Sequence, residues 1–124
     1  NALAANFTST FTTDSISPTV VSSVPAINAT LVNPAAPLSL TFSEPIDPAS
    51  VTYSTTISTG SVSLAAGAAQ VFGCFSFNPT STVVTFTPLA PLTAATGHSF
   101  SASAGVTDLG GLALTPYTAP FTTQ

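Results

Sequence analysis

The sequence predicts an all-β protein built as an antiparallel β-sandwich. Three observations support this prediction. The 11 prolines and 7 glycines divide the chain into short segments, several segments alternate apolar with polar residues, and no segment shows a helical period of useful length. Short segments bounded by turn residues are typical of antiparallel strands. About seven or eight of them, without helices and in addition to an extra N-terminal strand, favour two packed sheets.

The predicted strands lie between prolines, glycines and other turn residues. In order along the chain they cover residues 3–13, 19–24, 38–43, 51–57, 61–64, 70–77, 82–87, 98–104 and 113–123. Residues 27–37 are predicted as a loop, because Asn33-Pro34 breaks them. Residues 88–96 are predicted to cross between the sheets. Residues 65–69, all Ala or Gly, fit either a loop or a single helical turn.

Two predicted strands alternate clearly enough to assign an inward face. In the strand 38–43 the inward residues are Leu38, Leu40 and Phe42. In the strand 98–104 the inward residues are Phe100, Ala102 and Ala104, with serines between them. The strands 70–77 and 82–87 are separated by a short turn at 78–81, which predicts a hairpin.

The two ends of the chain carry nearly the same phrase. Residues 6–13 (NFTSTFTT) recur 110 positions later as residues 116–123 (PYTAPFTT). Each copy places two aromatic side chains four positions apart, on one face of a strand. One compact domain needs one closing strand. We therefore predict a domain over 18–124, preceded by an extra strand and linker over 1–17 that pairs with a preceding repeat or a neighbouring molecule.

The extra strand is the predicted assembly element. Its contact residues are predicted to be Leu3, Asn6, Phe7, Thr10 and Phe11. In the closing copy, Pro116 and Pro120 stand where the first copy has Asn6 and Thr10, and both prolines lack an N–H on the same lateral side. The closing strand is therefore predicted to lie at a sheet edge, whereas the first copy is able to form hydrogen bonds on both sides.

The composition excludes several classes of protein. The chain has no Lys or Arg, and its charged residues amount to 3 %, so it cannot neutralise the phosphates of nucleic acid or anionic lipid. Ser and Thr, about a third of the chain against a much lower average, supply the polar surface. No apolar run reaches the length of a membrane span. Without Lys, exposed sheet edges lack their commonest protection against pairing with other chains, which is permissive for a polymer subunit.

Candidate catalytic and metal-binding residues are few. A Ser–His–Asp arrangement would need His98 and Asp108, but the nucleophile-elbow phrase is missing, so we predict no enzyme and no cofactor. Glu44, Asp47 and Asp108 are the loop carboxylates for a structural cation; Asp108 is the best calcium candidate, and the alternative is that it caps a turn. Cys74 is alone and is predicted to be a small core residue, the alternative being a thiol that bridges subunits.

Two segments match acceptors for N-linked glycans. These are Asn6-Phe7-Thr8 and Asn28-Ala29-Thr30, whereas Asn78-Pro79-Thr80 is blocked by its proline. Sugar attached to surface threonines is an equally open alternative. An array of outward threonines that binds a carbohydrate surface is a third functional hypothesis, and the sequence contains no Trp to form an aromatic platform for it.

Several phrases resemble the bacterial Ig-like domains of the Big_5 (SbsA-like Ig) family. They are residues 40–51 (LTFSEPIDPASV), 84–92 (VTFTPLAPL), 105–114 (GVTDLGGLAL) and 120–123 (PFTT). The resemblance extends from about residue 18 to residue 124, with Gly111 where the family usually has Asn. It implies an Ig-like sandwich in a secreted or cell-surface protein of prokaryotic origin, and it supplies no catalytic residues.

The residues and the resemblance together predict a structural role. The first hypothesis is a subunit of an extracellular filament or cell-surface array, assembling head to tail with copies of itself through the N-terminal strand. The alternative is one module of a tandem-repeat adhesin or S-layer protein, in which the N-terminal strand belongs to the preceding module.

Overall fold

The computed structural model describes residues 16–52, 61–67 and 69–124 of the chain. The predicted assembly strand 3–13, with Leu3, Asn6, Phe7, Thr10 and Phe11, lies outside the described residues. Most of the predicted strand 51–57 also lies outside them, and the described residues Val51 and Thr52 are not in a strand.

The described residues form a two-layer β-sandwich of nine strands, which confirms the predicted fold class. The strands are β1 (Val20–Val24), β2 (Ala29–Val32), β3 (Leu38–Phe42), β4 (Val62–Ala66), β5 (Ala69–Val71), β6 (Gly73–Phe77), β7 (Val83–Pro88), β8 (Gly97–Ala102) and β9 (Tyr117–Thr123). One sheet has the order β1-β3-β7-β6 and the other β2-β9-β8-β4-β5. A single 3-10 turn covers Pro48–Ser50.

The core lies between the sheets and consists of the alternate residues of their strands. Leu38, Leu40 and Phe42 of β3 are buried, as predicted. Phe86 of β7 and Phe100 of β8 meet across the core with ring centroids 6.0 Å apart. Each fully buried side chain of this size contributes about 1.5–3 kcal/mol, so these alternating faces hold the two sheets together.

The predicted turns and crossovers are partly confirmed. The predicted strand 70–77 is divided between β5 and β6, which lie in different sheets. Only β6 forms the predicted hairpin with β7, with Phe77 paired to Val84, and residues 89–96 connect the two sheets. Of the described residues in the segment 65–69, Ala65 and Ala66 continue β4, Gly67 lies in a turn and Ala69 begins β5, so the segment is mainly strand. Strand β8 ends at Ala102, so Ala104 is exposed in a turn and its predicted inward position is wrong.

Two strands differ from the predictions because of their pairing. Residues 27–37 are not wholly loop, since β2 forms within them and pairs in parallel with β9. Strand β9 is therefore an inner strand, flanked by β2 and β8, and the predicted edge position is wrong. The oxygen of Pro120 accepts a hydrogen bond from Asn28 N at 2.6 Å, so the proline nitrogen also faces β2. On that side β2 is short and its register shifts, which accommodates the missing donor.

Candidate functional site

The closing strand shows how the repeated phrase packs. The side chain of Phe121 is buried and that of Tyr117 is half-buried, both on the core side of β9. The Ser23 hydroxyl donates to Pro25 O at 2.8 Å, so the Tyr117 hydroxyl donates to Ser23 Oγ, 3.0 Å away. A strand of this phrase thus fits inside a sheet with its two aromatic side chains in the core.

In the described part of the chain, the edge strands of the two sheets carry no charged residue. The edge strands among the described residues are β1, β2, β5 and β6. Their sequences are VVSSV, ATLV, AQV and GCFSF. Charged side chains and prolines are the usual protection of an edge against pairing with another chain, and none of these four strands has either. The expectation of unprotected edges is therefore met in the described part of the chain.

An exposed apolar pair lies where the chain passes from one sheet to the other. Phe72, the single residue between β5 and β6, is 41 % exposed, and Leu89 is 72 % exposed. Leu89 N donates to Phe72 O at 3.0 Å. The two residues line an apolar groove of about 350 Å³ that also includes Leu92 and Pro91. Sequence reasoning missed this groove, because strand alternation does not show which residues stand at a switch between sheets.

His98 is a buried residue of β8 and is 3 % exposed. Its Nδ1 lies 2.9 Å from Thr96 O; a carbonyl oxygen only accepts, so Nδ1 carries the proton. Nε2 is buried without a hydrogen-bond partner. No serine, cysteine or carboxylate contacts its ring nitrogens, so the described geometry gives His98 no partner for acid–base chemistry.

Asp108 is 3 % exposed and organises the turn that follows it. Its Oδ1 accepts hydrogen bonds from the N–H groups of Gly110 and Leu112, both at 2.8 Å. Gly111 has φ +90°, a conformation that suits Gly or Asn, which explains why Gly replaces the family's usual Asn. Oδ2 is buried and has no hydrogen-bond partner. These contacts support a role of Asp108 in capping the turn.

Asp47 and Asp108 lie in segments that bond to each other, and Glu44 is half-buried in the bend that follows β3. Ile46 pairs with Asp108 in an isolated bridge, and Asp47 N donates to Thr107 O at 2.8 Å. The Asp47 side chain accepts from Ala49 N and so caps the 3-10 turn. Among the described residues, no group of three or more His, Cys, Asp or Glu side chains is placed to bind a metal ion.

Cys74 is exposed, so its predicted place in the core is wrong. Strand β6 turns the side chains of Phe75 and Phe77 toward the core side and those of Cys74 and Ser76 outward. The neighbouring Gly73 is buried, and a side chain there would meet Thr87 O and the Phe86 ring. The strand period of two therefore decides the position of Cys74, in spite of its apolar neighbours.

Asn28 lies beside a second, more polar groove of about 480 Å³. The groove is formed by the start of β2 and the outer face of β8 and β9, and includes Thr30, Ser99, Pro120 and Thr122. At Gly97, which also lines it, no heavy atom lies within 4 Å of the position a Cβ would take. The pairing of β2 with β9 creates this groove, which explains why the predicted loop gave no sign of it.

Comparison with known proteins identifies the family of the domain. A family model described as the bacterial Ig-like domain matches residues 14–123. Among curated proteins, no sequence relative matches the chain. Within the described part of the chain, no helix has the length and hydropathy of a membrane span.

Several solved structures share the fold at low sequence identity. Domains 1–6 of the surface layer protein SbsC match with a TM-score of 0.63 and 17 % identity over 89 % of this chain, which spans 14 % of the SbsC chain. PcoC, a methionine-rich copper resistance protein from Escherichia coli, matches with a TM-score of 0.62 and 18 % identity, covering 86 % of this chain and 98 % of PcoC. L,D-transpeptidase 1 of Mycobacterium tuberculosis matches with a TM-score of 0.53 and 24 % identity, covering 86 % of this chain and 38 % of the transpeptidase chain.

At these identities the matches show the fold alone. The copper protein is described as methionine-rich, whereas this chain has no Met, and its single His is buried. The soft thioether ligands that select Cu(I) are therefore missing here. The chain covers little more than a third of the transpeptidase, so that enzyme's activity does not carry over.

Proposed function

Since the chain belongs to the bacterial Ig-like domain family, we propose that it is a structural subunit of an extracellular filament or cell-surface array that assembles head to tail. In this proposal, residues 3–13 supply a β-strand to an adjacent Ig-like domain. The partner is another copy of the same chain. No catalytic step and no cofactor form part of the proposed function.

The observation that carries the proposal is the position of β9. The phrase PYTAPFTT forms an inner strand, bonded on one side to β8 and on the other to β2. Its place in the sandwich is filled by the chain's own residues. The second copy of the phrase, NFTSTFTT over residues 6–13, therefore has no equivalent inner place in the same domain or in an identical neighbour. In the proposal it adds instead to one of the unprotected edge strands of that neighbour.

The free energy that strand addition would gain from burial and hydrogen bonds can be compared with the cost of association. Burying Leu3, Phe7 and Phe11 would contribute about 1.5–3 kcal/mol each, and each new ladder hydrogen bond about 0.5–1.5 kcal/mol. Association and ordering cost about 4–15 kcal/mol. The gain and the cost are of the same order, so further contacts between subunits are needed. The uncharged edge strands and the exposed Phe72 and Leu89 offer surface for them.

A tandem-repeat module is the second candidate. In this arrangement residues 3–13 are the closing strand of the preceding module, and the linker 14–17 leads into the domain. The chain spans only 14 % of the SbsC segment that it resembles, and a single module of a long surface protein would have this relation to the whole. Both candidates place the N-terminal strand in a neighbouring domain; they differ in whether that domain belongs to the same polypeptide.

Variants of the N-terminal strand test the proposal. Deletion of residues 3–13 and the double variant Asn6→Pro/Thr10→Pro should both abolish polymers, the second because it removes N–H donors while keeping both aromatic residues. Phe7→Ser/Phe11→Ser should weaken assembly by several kcal/mol through lost burial. The matched control is Thr8→Ser/Thr12→Ser on the opposite face, which should assemble like wild type.

Sedimentation and negative-stain imaging are the measurements, with circular dichroism to check that each variant stays folded. Normal polymers from both the deletion and the double proline variant would refute the role of residues 3–13. A wild-type chain that stays monomeric at every concentration would instead favour the tandem module.

A further inference from the structure

We propose that Asn28 is a site of N-glycosylation, which goes beyond the proposed structural role and does not depend on the placement of residues 3–13. Asn28-Ala29-Thr30 has the acceptor pattern Asn-x-Thr with a residue other than Pro in the middle. The pattern is short and occurs by chance in a Thr-rich chain. The structural surroundings of Asn28 are what distinguish it from a chance match.

The first supporting observation is that the Asn28 amide is exposed and free. Asn28 and Thr30 are both exposed, and within the described part of the chain the Asn28 side chain makes no hydrogen bond. The other two described asparagines differ. Asn33 Oδ1 accepts from Ala35 N at 2.9 Å. Asn78 uses both ends of its amide, donating to Thr80 and Thr82 hydroxyls and accepting from Thr82 N and Val83 N.

The second observation is the backbone at Asn28. Ala29 N donates to Ala26 O at 3.0 Å, which closes a tight turn with Asn28 at its third position. Asn28 has φ +63°, a left-handed conformation that Asn tolerates better than most residues. Its N–H is fixed to Pro120 O of β9. The acceptor asparagine therefore projects from a turn whose backbone is held by the neighbouring sheet.

The third observation is the groove of about 480 Å³ beside Asn28. Its lining combines the hydroxyls of Ser99 and Thr122 with the apolar ring of Pro120. Gly97 has no side chain to fill the groove, and the space beside it is empty. A sugar has hydroxyl groups at its rim and C–H groups on its faces, so this mixture suits the first residue of an attached glycan. The proximal sugar would lie along the outer face of β8 and β9.

The modification is a group transfer with a defined balance. The Asn28 Nδ2 forms a bond to C1 of the first sugar of a lipid-linked oligosaccharide. The bond between C1 and the phosphate oxygen of the carrier breaks, and the lipid pyrophosphate leaves with the electron pair. One Nδ2 proton passes to a base of the oligosaccharyltransferase. The donor is thus a polyprenyl-pyrophosphate oligosaccharide supplied by the host.

A glycan at this position would also affect which edges pair. Asn28 immediately precedes β2, an edge strand of the five-stranded sheet. A bulky, hydrated group there would block another chain from reaching the β2 edge, which no charged residue protects. The remaining edges, β1, β5 and β6, would stay open to partners.

The test is in vitro glycosylation of the folded chain, read by intact mass spectrometry. The enzyme is an oligosaccharyltransferase chosen because, with its lipid-linked donor, it modifies the free peptide AINATLV (residues 26–32). All variants carry Asn6→Gln, which removes the other acceptor pattern, Asn6-Phe7-Thr8. In this background we expect the folded chain to gain one glycan mass. Adding Asn28→Gln or Thr30→Ala should abolish the gain, whereas adding Thr30→Ser should keep it.

A second variant separates structure from sequence pattern. Pro79→Ala removes the proline that blocks the acceptor pattern between Asn78 and Thr80, but the Asn78 amide remains bound to Thr80 and Thr82. The folded variant should gain no second glycan. A free peptide that covers the same substituted segment should gain one. An unmodified Asn6→Gln chain beside a modified peptide would overturn the proposal, as would full modification of the double variant Asn6→Gln/Asn28→Gln.

Discussion

The imidazole ring of His98 is stacked on the ring of Phe121, with centroids 5.2 Å apart and planes inclined by 10°. The two residues face each other on β8 and β9. Because Nδ1 donates to Thr96 O and Nε2 has no partner, His98 packs as an aromatic core residue with one hydrogen bond. Its role in the described structure is to join the start of β8 to the last strand.

Substitutions at His98 should separate packing from hydrogen bonding. His98→Phe keeps a ring on Phe121 and loses the bond to Thr96 O, so the free energy of unfolding should fall by about 0.5–1.5 kcal/mol. His98→Ala also leaves a cavity and should cost about 2–5 kcal/mol. Urea denaturation measures both values. Equal losses for the two variants would contradict a packing role.

Gly73 and Gly97 form a matched pair for testing backbone space. A Cβ at Gly73 would meet Thr87 O and the Phe86 ring, whereas one at Gly97 meets nothing within 4 Å. Gly73→Ala should therefore destabilise the domain by about 1–3 kcal/mol through overpacking. Gly97→Ala should stay within about 0.5 kcal/mol of wild type. Thermal melts of the two variants check this, and a reversed order would contradict the packing at β6.

Substitutions at Asp108 test its capping role. Asp108→Ala leaves the N–H groups of Gly110 and Leu112 without their acceptor and should cost about 1–3 kcal/mol. Asp108→Asn keeps an acceptor oxygen and removes a buried charge that no Lys or Arg of this chain can pair, so its loss should be smaller. Chemical denaturation provides both values. A rise in the melting midpoint with calcium that Asp108→Asn abolishes would show that Asp108 also binds a cation.

The exposure of Cys74 predicts fast reaction with thiol reagents. In the folded chain, a disulfide reagent should modify Cys74 at a rate within about tenfold of that in urea, because folding does not cover the thiol. Cys74→Ser should change the free energy of unfolding by less than about 0.5 kcal/mol. A strongly protected thiol would place Cys74 in a subunit contact or in the core.

Strand alternation was sufficient to predict the sandwich and much of its core. Leu38, Leu40 and Phe42 are inward because antiparallel strands with one buried face alternate strictly. The same rule places Cys74 outward and its neighbours Phe75 and Phe77 toward the core, whereas the apolar character of the neighbours alone predicts a core position, which is wrong. The turn at Asp108 was also readable, since an Asp followed by two glycines is a local signal.

The pairing between distant segments could not be predicted from the sequence. Strand β2 is short, contains Leu31 at φ +56°, and is stabilised by β9, far away along the chain, in the register Ala29 with Phe121. No local pattern reports such a partner. Because this pairing cannot be seen locally, Pro120 alone predicts an edge strand, and the sequence does not predict the groove beside Asn28.

The parallel pairing of β2 with β9 has a mechanical consequence. Tension transmitted along the polypeptide pulls β2 toward its start and β9 toward its end, and in a parallel pair these are opposite directions. The bonds from Asn28 N to Pro120 O and from Gln124 N to Val32 O, at the two ends of the pair, are then sheared together instead of being opened one after another. We therefore expect this parallel pair between an early strand and the last strand to resist stretching, a property that the proposed role in a surface assembly would require.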